Sequence, residues 1–436
     1  MRNRDLFFVI LSLFLFQGHQ AETKTFNTTQ VSPVISFVDS GQNLGDGRTF
    51  CIVSGDVDGD GDIDAFVTHY IHANKIWFNE GSGIFTDSGQ DIGTTTGHGA
   101  ALGDLDGDGD LDLFLVNNQA HDKVYVNDGT GHFADSGQNL GNAGDAGISV
   151  ILGDIDGDDD LDALVEIYQQ ESKIWINDGT GTFTENGQTL GGVENRDMAL
   201  GDLDSDGDLD VYVTTNDAGD RVWLNDGSGI FTDSGQSLGP SEGGGRVALG
   251  DLDGDGDLDA FVANSTLGNN IWLNNGFGMF TEFGPYFGQS QRIKLGDADG
   301  DGDLDAFSTH RQLGNVVWVN DGTGTFTSLG PILGSQEGLA VSLGDVDGDG
   351  DLDAFIGRLE GYGGNRLYLN ETYVISCRDA DCTGDGPVDI IDALWEVNCI
   401  LGLSPPPCSC DCNQDGSDDV LDVLCIVNII LDGSCP

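Results

Sequence analysis

A nine-residue acidic pattern returns seven times along this chain of 436 residues, with 46 to 50 residues from one copy to the next. So regular a repeat admits few folds, because each copy must be one supersecondary unit that buries its apolar face against its neighbours. The clearest copy is Asp251-Leu-Asp-Gly-Asp-Gly-Asp-Leu-Asp259, with acids at Asp251, Asp253, Asp255, Asp257 and Asp259. The first carries Asp56, Asp58, Asp60, Asp62 and Asp64, and the second Asp104, Asp106, Asp108, Asp110 and Asp112. The third carries Asp154, Asp156, Asp158, Asp160 and Asp162, and the fourth Asp202, Asp204, Asp206, Asp208 and Asp210. The sixth has Asp297, Asp299, Asp301, Asp303 and Asp305, and the seventh Asp345, Asp347, Asp349, Asp351 and Asp353.

Carboxylates at positions 1, 3, 5 and 9, a main-chain carbonyl at 7 and a glycine at 6 for the sharp turn make an oxygen cage suited to calcium. Up to seven ions are expected here. Without a cation, five carboxylates this close repel one another strongly. The competing reading, a solvated acidic turn, gives no reason for the register to persist through seven copies. In the third copy Asp159 replaces the glycine. Aspartate takes a left-handed backbone less readily, so this loop is expected to bind weakly or stand empty.

The net charge of −59 resembles that of a disordered chain, yet 38% of the residues are hydrophobic and the aromatics recur in phase, which argues for a folded protein. The seven loops hold 36 of the 75 acids, so much of the charge belongs to the proposed metal sites. No basic stripe exists to neutralise phosphates, which excludes nucleic acid as a partner. At the N-terminus Arg2 and Arg4 precede an apolar run from Leu6 to Phe16 and a polar stretch to Ala21, read as a signal peptide over 1–21 with a linker over 22–33. That run is too short to span a bilayer and no other segment qualifies. The protein is expected to be secreted or held at the cell surface, where calcium is abundant.

Around each loop the pattern predicts four short strands. Arg246-Val-Ala-Leu-Gly enters the loop, Leu258 to Ala263 leaves it, Ile271-Trp-Leu-Asn is the third and Met279-Phe-Thr-Glu the fourth. Seven units of four antiparallel strands predict an all-β, seven-bladed propeller over residues 34–373. Phe segments begin at Phe37, Phe85, Phe133, Phe183, Phe231, Phe280 and Phe326, and none follows the last aromatic segment, Leu367-Tyr-Leu-Asn370. The count balances only around a ring, so the strand at Phe37 is expected to complete the last blade and cover its open edge.

These loops and phased aromatics resemble the FG-GAP/VCBS repeats of the integrin α-chain propeller and of secreted microbial relatives. The resemblance implies the fold and the calcium. It narrows function only to adhesion receptors, sugar-binding lectins and some polysaccharide lyases.

Beyond residue 373 the period stops, and eight of the nine cysteines follow. Two acidic loops there have EF-hand-like spacing. One offers Asp381, Thr383, Asp385, Asp389 and Asp392, the other Asp411, Asn413, Asp415, Asp419 and Asp422, for up to two more calcium ions. Each loop runs into a segment with apolar residues at helical spacing, and Ser404-Pro-Pro-Pro407 separates the two units as a stiff connector. The duplicated loop and helix over 374–436 resemble a small α-helical dockerin module, which implies a cohesin-like partner. Thr383 and the cysteines depart from that family's pattern. Export favours disulfides, with Cys377 and Cys435 placed to clasp the ends. Cys51, on an inner strand, reads as a small buried hydrophobe.

The acidic loops and the Asn-Asp-Gly turns share one face of the disk. The connections on the other face vary from blade to blade and form the expected binding surface. Lys75, Lys123, Lys173, Arg221 and Arg366 open third strands there, and Arg48, Arg196, Arg246 and Arg292 lie near the starts of first strands, close to the channel. These four arginines are the candidate anchors for an anionic ligand such as a uronate-rich or sulfated glycan. The competing reading lays their stems over blade aromatics and pairs them with nearby acids. With no Gly-x-Ser-x-Gly elbow, an extracellular glycan or cell-surface protein as ligand is the first expectation, and a polysaccharide lyase or hydrolase the second.

Overall fold

The computed structural model describes residues 35–371 apart from 46, 71, 94–96, 193–194, 217–218, 241–244, 311–313, 330–332, 334–337 and 360–363. The expected leader, linker and C-terminal module, with both of its loops and all of its cysteines, lie outside the described residues. Residues 35–371 form one compact unit of seven four-stranded antiparallel sheets. Six have their strands in chain order, over residues 52–92, 97–135, 147–190, 195–233, 246–287 and 292–328. The seventh combines Gly338–Gly344, Asp353–Arg358 and Arg366–Asn370 with Phe37–Asp39 from the other end of the chain. There Phe37 faces Asn370, Val38 faces Leu369 and Asp39 faces Tyr368. The inner strands touch in sequence around the ring, and that of blade 7 touches that of blade 1. The propeller and its closure are therefore as the repeat predicts.

Most of the repeat pattern is spent on joining one blade to the next. The outer Phe of a blade meets the second-strand aromatic of the preceding blade edge to face, as in Phe183 on Phe114 at 5.2 Å, Phe280 on Tyr212 at 5.3 Å and Phe326 on Phe261 at 5.0 Å. Such pairs add to plain area burial. Each inner strand ends in a glycine because the position-8 leucine of the next loop, or Ile63 in the first, lies against it. A Cβ on Gly250 would meet Leu304 at 2.5 Å, and one on Gly103 would meet Leu161 at 2.7 Å.

The asparagine ending each third strand is a hook. Its Nδ2 donates to the position-2 carbonyl of the preceding blade's acidic loop, from Asn127 to Val57 at 2.7 Å, Asn177 to Leu105 at 2.8 Å and Asn225 to Ile155 at 2.8 Å, and likewise around the ring to Asn79 and Val346 at 2.7 Å. Asn177→Ala leaves the buried carbonyl of Leu105 and the half-buried one of Leu161 without this donor, and a buried orphan costs about 1–3 kcal/mol. The variant is expected to lose about 2–4 kcal/mol in a denaturant titration. Asn186→Ala, at an exposed residue that also reaches the next blade, through Gly229 at 3.1 Å, is expected to lose under about 1 kcal/mol. Equal losses would contradict the hook.

Candidate functional site

Each acidic loop is held by its own carboxylates. In the first, Asp56 accepts the N–H groups of Gly59 and Gly61 at 2.8 and 3.0 Å, and Asp60 accepts that of Asp62 at 2.9 Å. Asp64 is fully buried and accepts the N–H of Val57 at 3.0 Å and of Asn79 at 2.8 Å. All seven loops repeat this clamp, through Asp112, Asp162, Asp210, Asp259, Asp305 and Asp353. Position 9 thus ties the loop to the third strand, a role that ligand counting alone does not reveal. Burial raises Asp64 to about 6. The position-7 carboxylates lie over the turn glycines of their own blades, where a Cβ on Gly81 would meet Asp62 at 2.5 Å.

Position 3 is different. Oδ1 of Asp58, Asp106, Asp156, Asp204 and Asp347 is buried with no hydrogen-bond partner. Burial and then the adjacent Asp60 and Asp56 carboxylates push Asp58 above the usual range. The corresponding atoms of Asp253 and Asp299 accept the N–H of Asp255 at 3.3 Å and of Asp301 at 3.2 Å. Ligand oxygens in groups such as Asp56, Asp58 and Asp64, or Asp202, Asp204 and Asp206, lie within 4.8 Å of one another. Converging oxygen-only donors with orphaned atoms among them fit a hard divalent cation of calcium's type. The third loop keeps this arrangement: Asp159 adopts φ 72°, and its N–H still reaches Asp154 Oδ2 at 3.0 Å. The substitution places strain in the backbone and leaves the donor positions intact.

At the opposite ends of the inner strands the channel widens to a chamber of about 200 Å³ lined by residues from all seven blades, among them Phe50, His98, Asp197, Arg246, Arg292 and Lys294. Two of the four candidate arginines therefore reach the channel. Arg246 bridges three blades, with Nη1 at 3.0 Å from Asp197 and 3.5 Å from Glu166, which is fully buried and also accepts the Ser149 hydroxyl at 2.8 Å. Arg292 donates from Nε to the Leu339 carbonyl at 3.1 Å. Arg48 lies over the rings of Phe50 at 4.6 Å and Tyr70 at 5.5 Å, and Phe50 stacks on His98 at 4.0 Å. Arg196 is exposed and does not line the chamber.

The third-strand cations form no basic ring. Lys75 pairs with Asp91 at 2.8 Å, Lys123 with Asp135 at 3.1 Å, Lys173 with Asp145 at 3.2 Å and Arg221 with Asp233 at 3.4 Å, while Arg366 donates to the Gln42 carbonyl at 3.1 Å. Burial pushes the Cys51 thiol up, which suits a packing role rather than a nucleophile. Burial, then the charges of Arg292, Arg246 and Arg48, hold His98 down at about 4, so its imidazole is neutral.

The model of the FG-GAP-like repeat matches this sequence over residues 56–115, 104–165, 167–213, 202–262, 251–308 and 297–356. The chain belongs to the FG-GAP-like repeat family. Five of the six FG-GAP-like segments begin on the first aspartate of an acidic loop, so the family's unit runs from one loop into the next blade. Among solved structures, the BP39L lectin from Burkholderia pseudomallei is similar at 15% identity with a TM-score of 0.58, covering 74% of this chain and 96% of that one. A structure of BBS1N in complex with ARL6DN is similar at 11% identity with a TM-score of 0.53, covering 77% and 97%. These likenesses establish a shared fold. No curated protein matches the sequence. Among the described residues no helix is long and apolar enough to cross a membrane.

Proposed function

We infer that this FG-GAP-like protein is a secreted propeller, stabilised by calcium in its acidic loops, that binds an extracellular ligand with the face opposite those loops. One observation carries the reading. At the channel mouth Phe50, Tyr70, His98 and Arg48 form a stacked aromatic and cationic platform beside a concave chamber, whereas the paired cations at the rim have their charge already used. Concave apolar surface with a few convergent polar groups is the usual form of a ligand site. The platform suits the faces of sugar rings. A lectin among proteins of the same fold supports a carbohydrate, and a complex with a protein partner supports a cell-surface protein. Residues 374–436 would tether the propeller to a cohesin-like partner. In each loop, positions 1, 3, 5 and 9 and the position-7 carbonyl would hold calcium, which supplies charge compensation and a fixed loop shape.

A glycan array run beside a depolymerisation assay tests this. Binding to an immobilised polysaccharide without release of reducing ends is expected. Release of product would make the protein a polysaccharide-active enzyme. Loss of all array binding in Phe50→Ala, with the melting temperature kept, would locate the ligand on the platform. Unchanged binding in that variant would move it elsewhere.

A further inference from the structure

The charges around the chamber do not balance. Of its lining acids and their neighbours, Asp197 and Glu166 both point at Arg246, which they neutralise and hold in place. Arg292 and Lys294 have no such partner: among the described residues no carboxylate lies within ion-pair distance of either, and Arg292 spends only Nε, on the Leu339 carbonyl. The two stand on the inner strand Arg292–Gly296 with Ile293 between them buried in the core. The period of two therefore puts both on the channel side. Arg292 is the more costly, since burial and then the like charge of Arg246 pull it down to about 10. Across the chamber, on the inner strand of blade 2, His98 adds a buried Nδ1 without a hydrogen-bond partner. In a chain of net charge −59, a half-buried arginine without an ion pair, beside an exposed lysine at the same chamber, calls for a structural or a ligand explanation. Asp197 and Glu166 attract Arg292 only from beyond ion-pair distance, so its Nη groups remain open to a ligand.

We propose that the chamber takes one oxyanion, a carboxylate or a sulfate, between the Nη groups of Arg292 and the ammonium of Lys294, with Arg246 as a positioning residue fixed by Asp197 and Glu166. The guanidinium's two free Nη groups suit the two oxygens of such a group, and the ammonium adds a point charge from the side. A chamber of about 200 Å³ has ample room for such a group. The anion is then the charged end of a larger ligand that lies across the Phe50 and Tyr70 platform, or a free small anion. The first source rests on the ligand reading given above; the second does not.

Titration calorimetry at low salt, on the full chain loaded with calcium, separates these. The probes are sodium sulfate, glucuronate, a sulfated oligosaccharide and its desulfated form. The sulfated oligosaccharide is expected to bind at least tenfold more tightly than the desulfated one. Lys294→Gln and Arg292→Gln are each expected to remove at least tenfold of that affinity and to flatten its salt dependence, whereas Arg196→Gln leaves it unchanged. Lys294 is exposed, so its variant reports even where that of the half-buried Arg292, Arg292→Gln, fails to fold. Binding of sulfate or glucuronate with the same dependence on Lys294, but of neither oligosaccharide, supports the chamber and removes the glycan reading. Oligosaccharide binding that is equal for both forms, or equal in Lys294→Gln and the parent, overturns the chamber and leaves that reading standing. Failure of every anion to bind overturns it as well.

Discussion

Removing calcium with EDTA is expected to lower the melting temperature of the propeller on the order of 10 °C or more, at roughly 2–4 °C for each kcal/mol lost. The physical ground is the position-3 oxygen. In five loops it is buried without a hydrogen-bond partner, so without a cation those loops keep a desolvated carboxylate beside others of like charge. A ligand bound only by the folded state at a hundredfold excess over its Kd contributes about 2.7 kcal/mol per site. Several such sites are more than a typical domain's margin of about 5–15 kcal/mol. Scanning calorimetry with and without chelator, with metal analysis of the same samples, checks the result. A second arm makes it specific: Asp156→Asn should lower the calcium stoichiometry by one, while Asp253→Ala, which removes the Oδ1 that accepts the Asp255 N–H, should also perturb the metal-free protein. An unchanged melting curve after proven loss of the metal would show that the turn hydrogen bonds of Asp56 and its six counterparts hold the loops unaided.

How far the sequence could be read depended on whether a residue's task lies within its own blade. Loop chemistry and strand order are local, and the seven copies displayed both. The closure was also legible, because Phe37 to Gly45 repeats the Phe85 to Gly93 segment and left one Phe segment too many at the start of the chain. The partners of repeated polar residues were not. Asn127 stands in a motif, yet nothing in the sequence says that its amide reaches Val57 in the preceding blade. Gln90, Gln138 and Gln236 read as surface residues of an outer strand. Each in fact joins the next blade's hairpin, accepting the N–H of Phe133, Phe183 or Phe280 and donating to Gly131, Gly181 or Gly278. Their fixed place after the Phe-x-x-x-Gly segment was the available signal. The four arginines show the same limit. Their register put them all near strand starts, but the acids that neutralise Arg246 come from two other blades, and Lys294, two residues along from Arg292, became visible as a channel residue only once the ring was closed.

Deleting residues 22–45 is expected to turn the propeller into an aggregating or oligomeric species with a markedly lower midpoint, because this segment joins the two ends of the ring at four levels. Its backbone pairs Phe37–Asp39 with the strand Arg366–Asn370, which would otherwise be an exposed edge. Its Phe37 ring packs edge to face on Phe307 of blade 6 at 5.5 Å. Leu44, 1% exposed, enters the core between blades 7 and 1 and exchanges backbone and side-chain hydrogen bonds with Asn365 at 3.3 and 2.9 Å. Gln42 crosses to blade 1, accepting the Phe85 N–H at 2.9 Å and donating to the Gly83 carbonyl. Truncating a buried Leu or Phe alone costs about 2–5 kcal/mol, so losing both with the strand is expected to cost more than any single substitution at the same residues. Two accounts then differ in what a peptide can do. If the segment closes the ring, a synthetic peptide of residues 34–45 added to the truncated chain should bind at the bare edge, return the protein to a monomer on size exclusion and raise its midpoint, and a peptide with Leu44→Ala should do so poorly. If blade 7 is stable on three strands because the hooks of Asn79 and Asn370 already hold it between its neighbours, the truncated chain should remain monomeric with an unchanged midpoint, and the peptide should have no effect. The first outcome is expected, since those hooks secure the loop ends of the blades and leave the outer edge of blade 7 without a partner.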